Sequence, residues 1–365
     1  MKFLLSTVLV LALVQMPGAS VTNKYKLPSK DTTANIFIIT LDGYRWQELF
    51  TGADSSILTD EEYTSDIGTA KMLYWSPTAE ERRKKLMPFT WNVLAQQGRL
   101  YGNRNLGSKV NVSNLHAFSY PGYSEMFTGD DDFWVNSNGK KQNGHKNIFE
   151  FLNSQTAYNG RIAIFTSWDV FPYILNEERS GITINSGYEQ TETKTRTEAL
   201  LNTIQEKLLH KKGGTRHDML TYIAAKEYLQ VHRPKIFYLG LGETDEFAHS
   251  GDYFQYLQKA NESDRIIAEL WHWVQTTDGY RDNTTFIITT DHGRGQTKWT
   301  SHNTFVKGSS QTWLALLGRG ISPAGEMHNG ERLYQKQVAQ TIAWILGERF
   351  GNEDPLIDFS CLVKK

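Results

Sequence analysis

Five short runs of β-branched and aromatic residues punctuate this chain: NIFIITLDG from Asn35, RIAIFTSW from Arg161, KIFYLGLGETD from Lys235, TTFIITTDHG from Thr284 and TWLALLGRG from Thr312. Each is short and almost wholly apolar, the pattern of a strand buried on both faces. Between them lie segments with helical spacing, MPFTWNVLAQQG, TEALLNTIQEKLL, MLTYIAAKEYLQ and SDRIIAELWHWVQ, and QKQVAQTIAWILG follows the last strand. This alternation predicts an α/β fold, a mainly parallel central β-sheet sandwiched by helices. At 365 residues and 39% hydrophobic the chain can bury a large core. No internal repeat or low-complexity linker divides it, so residues 21–365 are expected to form one domain, with surface insertions near 52–86 and 169–216.

The first twenty residues, MKFLLSTVLVLALVQMPGAS, place Lys2 before an apolar run from Phe3 to Val14 and small residues at Gly18 and Ser20. That is the pattern of a cleaved signal peptide, too short for an ordinary span, and no later segment has about 20 apolar residues in a row. The mature protein is expected to be secreted or periplasmic, without a transmembrane segment. A formal net charge of -1 gives no basic face for nucleic acid; the mixed run Glu80 to Lys85 reads as a solvated helix face. The single cysteine, Cys361, excludes an internal disulfide and a thiolate cluster. A metal site must therefore use histidine and carboxylate. Glycosylation-type triplets begin at Asn111, Asn261 and Asn283, meaningful only in a eukaryotic secretory host.

In an open parallel sheet, ligands gather where the strands end. Asp42 ends the first strand, Asp245 follows the third, and Asp291-His292 ends the fourth. Asp245 and His249 stand four apart, so one helical turn puts both on one face at a spacing suited to a single metal. The TSHN segment adds His302. The other histidines, His116, His145, His210, His217, His232, His272 and His328, lie in helix-like surroundings or have no acid at ligand spacing. The six selected residues, with Ser119 as a seventh, are enough for two divalent ions; histidine nitrogen and carboxylate oxygen suit zinc. Two ions about 4 Å apart grip the attacking and leaving oxygens of an in-line displacement, and one can ionise a serine hydroxyl at neutral pH.

Ser119 opens FSYPGYSEMFTGDDD, which reads as a helix with Ser119 at the cap, Pro121 just inside and Thr128-Gly129 past its end. A serine there caps a backbone N–H for about 1 kcal/mol. Most such serines do nothing more, but it also stands in the positive field of the helix N-terminus, where a phosphate is stabilised, so the sharper reading makes it a nucleophile, and helix geometry does not choose between the two.

The ordered motifs LDG, SYPGYSEMFTG, DEFAH, DHG and SHN resemble those of the alkaline phosphatase superfamily, especially its nucleotide pyrophosphatase/phosphodiesterase branch. The resemblance runs from about Asn35 to the last helix. It implies one zinc held by Asp42, Ser119, Asp291 and His292, and another by Asp245, His249 and His302. It further implies in-line attack by the Ser119 hydroxyl, a covalent phospho-enzyme, and hydrolysis of that intermediate by water. The expected substrate is a small-molecule or headgroup phosphoester.

The chain departs from that branch in two places. The nucleophile is usually threonine, and Gly122 stands where an asparagine would bind the phosphoryl oxygen; that role would fall to Lys109, Asn111, Asn114 or backbone N–H groups. Tyr123 stands where the sulfatase motif has arginine, so conversion of Ser119 to formylglycine is not expected. Diester is preferred over monoester because no motif supplies extra positive charge. Arg45, in DGYRW, is the one candidate, and it could equally form a salt bridge on the strand–helix turn. The competing readings are a phosphomonoesterase, a phosphonate or sulfate ester hydrolase, a phosphomutase, and a non-catalytic metal-stabilised binding protein.

Overall fold

In the computed structural model, residues 25–209, 213–351 and 353–357 are described. The leader at 1–20, His210 and Cys361 lie outside them. All five sequence-read strands form: β1 (Asn35–Leu41), β4 (Ile162–Thr166), β6 (Ile236–Leu241), β7 (Thr284–Thr289) and β9 (Leu314–Gly318). Three shorter strands join them, β2 (Arg99–Tyr101), β5 (Ile184–Ser186) and β10 (Gly325–Glu326), giving one eight-stranded sheet in the order β10-β2-β9-β7-β1-β6-β4-β5. Two or three residues carry no readable periodicity, which is why the sequence did not mark these three. The five strands from β7 to β5 run parallel. Only β9 is reversed, pairing antiparallel with both neighbours. A small second sheet contains β3 (Val110–Asn111), β8 (Gln311–Thr312) and β11 (Leu333–Tyr334).

The sheet divides the core in two. Along β1, Phe37, Ile39 and Leu41 enter one apolar cluster, while Ile36 and Ile38 enter the other. Period-two alternation with both sides apolar is what a strand covered on both faces requires. The first face is covered by the helix Tyr253–Thr276 through Leu257, Ile266 and Leu270. The second is covered by the helices Ser119–Thr128, Ile148–Asn153 and Gln337–Ile345, through Met126, Phe127, Phe149 and Ile342. Segment 52–86 forms three helices whose Leu58, Ala70 and Leu86 are buried against the first face. Segment 169–216 supplies the edge strand β5 and short helices.

Register sets where the polar residues emerge. Thr40 of β1 lies opposite Gly240 of β6 and Thr289 of β7, so the three central strands leave the sheet at the same height. Asp42, the helix bearing Asp245, and Asp291-His292 follow directly. The carboxyl edge of the sheet therefore gathers residues far apart in sequence.

Candidate active site

Two of the carboxylates at this edge, Asp42 and Asp291, each have one oxygen tied down. The Tyr123 hydroxyl donates to Asp42 Oδ2 at 3.0 Å, and the Gly43 N–H donates to Asp291 Oδ1 at 3.1 Å. The other two oxygens, Asp42 Oδ1 and Asp291 Oδ2, are buried without a hydrogen-bond partner. Both face His292 Nε2, at 3.5 and 3.4 Å. The His292 Nδ1–H lies 2.9 Å from the Gly293 carbonyl, which accepts it and leaves the Nε2 lone pair aimed inward. Ser119 Oγ is 3.2 Å from the same nitrogen. A tetrahedral ion with bonds of about 2.0–2.1 Å has ligand–ligand edges of about 3.3–3.4 Å. Asp42, Asp291, His292 and Ser119 thus present donor atoms at the spacing of one coordination shell, with two bare carboxylate oxygens that only a cation or a proton would satisfy.

The same bare oxygens appear in the electrostatics. Burial, followed by repulsion from Asp245, pushes the Asp42 carboxyl well above its ordinary value, and burial with Asp42 does the same to Asp291. Beside them, His249 Nε2 lies 3.1 Å from Asp245 Oδ2 and 2.9 Å from His302 Nε2. Burial opposes the charge on Asp245, but Arg294, His249, His302 and His292 outweigh it and hold this carboxyl well below the usual range. Burial and His292 push the His302 imidazole down to about 2, so it is neutral and able to ligate. The donors form two groups sharing His292: Asp42, Asp291 and His292, and Asp245, His292 and His302. His249 lies beside the second.

Ser119 is the first residue of its helix, and Phe118 occupies the cap position without a side-chain bond. The capping acceptor comes from elsewhere: Asn138 Oδ1 takes the Tyr120 N–H at 2.9 Å. The serine hydroxyl is thereby left to His292. The loop before it is held by buried Glu125, which accepts from Ser113 N and Oγ, Asn114 N and Nδ2, and Lys336 N, all at 2.7–3.1 Å. Gly129 ends the helix in the left-handed region at φ 74°, where glycine carries little steric cost.

Close approach explains Gly122. A Cβ there would stand 2.5 Å from the Asp291 carbonyl oxygen, so the helix can lie against this strand end only with glycine at that position. An asparagine is excluded by contact.

Four candidate substrate contacts are corrected or left without support. Arg45 is buried, its guanidinium spent on Glu48 and the Gly295 carbonyl, because an unpaired charge cannot stay inside the core. Asn114 is consumed by Glu125 and by capping the His116 and Ala117 N–H groups. Asn111 bonds Arg104 and Ser310. Lys109 is exposed beside β3. Among the histidines set aside, His145 does have acid partners, Asp132 at 2.8 Å and Asp130 at 3.4 Å, and His217 bonds Glu243 at 2.8 Å. Sequence reasoning missed Tyr123, Glu125, Asn138 and Arg294. Arg294, in DHGRG directly after a buried strand, was visible as a charge where burial was expected; Asn138, in a glycine- and lysine-rich loop, carried no signal.

The architecture is that of the alkaline phosphatase-like fold. Among solved structures the chain is similar to the lipoteichoic acid synthase LtaP from Listeria monocytogenes, at 12% identity and TM-score 0.56 over 91% of this chain and 78% of that one. It is similar to alkaline phosphatase PafA, at 10% identity and TM-score 0.54 over 91% and 99% of the two chains. It is also similar to the phosphonate monoester hydrolase of Agrobacterium radiobacter, at 13% identity and TM-score 0.54 over 86% and 74%. No curated protein sequence matches the chain. A profile of the type I phosphodiesterase / nucleotide pyrophosphatase family matches residues 66–343, and the chain belongs to that family. It is accordingly a hydrolase of phosphoric esters. Asp42 precedes the matched stretch; its place at the centre comes from β1.

Proposed function

We propose that this chain is an exported, two-zinc phosphodiesterase that acts through a phosphorylated Ser119. The observation that carries the reading is the Ser119 hydroxyl, 3.2 Å from His292 Nε2 and beside two buried carboxylate oxygens without partners. Asp42, Asp291 and His292 would hold one ion with Ser119, and Asp245, His249 and His302 the other. Such ions supply positive charge that lowers the pKa of the serine hydroxyl and stabilises charge on the leaving oxygen. The chain itself does the positioning. The buried helix fixes Ser119, Asn138 relieves it of capping, and the helix N-terminus favours the anionic phosphoryl group. Attack by Ser119 Oγ on phosphorus breaks the bond to the leaving alcohol, and water then cleaves the phosphoserine.

A diester fits better than a monoester because Arg45, the candidate for an additional phosphoryl charge, is locked on Glu48. Export rests on the leader pattern at 1–20.

The test compares initial rates on bis(p-nitrophenyl) phosphate, p-nitrophenyl phosphate, p-nitrophenyl sulfate and a phenylphosphonate ester, with metal content by elemental analysis. The diester should be fastest, with zinc bound. Ser119→Ala should lower turnover at least a thousandfold, on the order seen when a nucleophile is removed, while leaving metal and fold in place. Faster sulfate or monoester hydrolysis, or a Ser119→Ala enzyme close to wild type, would refute this reading.

A further inference from the structure

Arg294 has a buried side chain fixed by the main chain. Nε donates to the Trp299 carbonyl at 2.9 Å and Nη2 to the Thr300 carbonyl at 2.7 Å. Those bonds set the guanidinium regardless of what stands opposite, and Nη1 is paired with Asp245 Oδ1. Gly43 makes room for the pairing: at φ +57°, a Cβ there would lie 2.8 Å from Nη1 and 3.1 Å from the His292 ring. A guanidinium is a planar positive charge, and here it is fixed in place by two carbonyls.

The two halves of the centre differ accordingly. Asp42 and Asp291 each offer a buried oxygen without a partner. Asp245 has only Oδ2 clear of the guanidinium, 3.1 Å from His249 Nε2, because Oδ1 is held by Arg294. The Asp291 and His292 side chains are fully buried, whereas that of His249 is 50% exposed. Imidazoles ligate in the neutral form, so three carboxylates and one guanidinium are balanced by a single divalent ion, and a second is added against a fixed positive charge.

We propose that Arg294 makes the centre load in order. The half formed by Asp42, Asp291 and His292 takes its ion first and tightly. The half formed by Asp245, His249 and His302 holds its ion weakly and exchangeably, with the guanidinium keeping Asp245 compensated when that ion is absent. This rests on the two-ion reading above. Arg294 is a positioning residue: it acts on the metal through Asp245.

The test is a zinc titration of chelator-treated protein, read by calorimetry and by competition with a chromogenic chelator, without reference to turnover. Wild type should bind one ion in each of two phases, with the second at least tenfold weaker, in the range that groups supporting a metal ligand exert. His249→Ala should abolish the weak phase and spare the tight one; Asp291→Asn should do the reverse. Arg294→Gln keeps a donor for the carbonyls and removes the charge, so it should strengthen the weak phase about tenfold and leave the tight phase unchanged. If Arg294→Gln does not fold, the wild-type, His249→Ala and Asp291→Asn titrations still decide whether the two halves load in order, and Arg294→Lys, which keeps the charge, should keep that order. Two equal ions, or a weak phase that survives His249→Ala, would overturn this inference and leave the two-ion reading standing. A protein that binds no zinc would overturn both.

Discussion

Replacing Gly122 with alanine sets two physical effects against each other. In an open helix interior, exchanging glycine for alanine adds about 1 kcal/mol of stability, because the unfolded chain loses freedom and helix propensity rises. Here the added methyl would meet the Asp291 carbonyl oxygen at 2.5 Å, with the Asp291 Cβ at 3.3 Å. Ordinary contact is about 3.4 Å or more, so the helix and the strand end must separate by most of an ångström. Neither can yield easily, since the helix is buried along its whole length and Asp291 is buried as well. Overpacking of this kind costs about 1–3 kcal/mol, so the net result should be a loss of up to about 2 kcal/mol. The displaced residue is also a candidate metal ligand, and zinc affinity should fall with stability. Urea denaturation of chelated protein and zinc titration of the same variant measure the two consequences separately. A Gly122→Ala protein more stable than wild type, with unchanged zinc affinity, would show that the close approach does not exist.

Three further outcomes are expected. Glu125→Gln would turn an amide toward backbone N–H groups that only donate, and should cost about 2–4 kcal/mol in denaturant titrations, with a larger loss of turnover than of zinc binding because the loop leading to Ser119 loosens. Asn138→Ala should cost about 1 kcal/mol as a lost cap, whereas Ser119→Ala should change stability by less than about 0.5 kcal/mol; the reverse order in thermal melts would restore Ser119 as the cap. Asp218 is pushed up to about 7 by burial and by Glu243. Between its ordinary value and 7 the folded state holds a proton that the unfolded state has released, so stability should fall as pH rises through that window, by at most on the order of 4 kcal/mol. Asp218→Asn imitates the protonated acid and should flatten that decline between about pH 4 and pH 7; an unchanged slope would count against the assignment.

Much of the site could be read in the sequence because parallel topology does the assembling. Asp42, Asp245, Asp291 and His292 follow strands that the apolar runs marked, and once β1 lies between β6 and β7, no side-chain detail is needed to bring them together. Helix spacing added His249. The groups that hold these residues were not legible for a different reason. Tyr123, Glu125 and Asn138 act across 81, 12 and 18 positions, through contacts that exist only after packing, and none interrupts its local pattern. Arg45 misled because an arginine next to a strand-end acid has the same sequence appearance whether it faces a substrate or a glutamate one turn away. Gly122 was visible as a departure, but its cause, the Asp291 carbonyl, was not.

The cap supplied by Asn138 has a consequence for how such enzymes can change. Where a nucleophile also terminates its own helix, every exchange at that position is filtered first by folding, and only side chains that can do both jobs survive to be tested for chemistry. On the function proposed above the two requirements fall here on separate residues, and the acceptor for the Tyr120 N–H does not depend on the side chain at position 119. Serine, threonine or cysteine could occupy that position with nearly the same folded population. The reactive atom would then be open to selection on reactivity alone, as an exchangeable part in a scaffold that does not register the substitution.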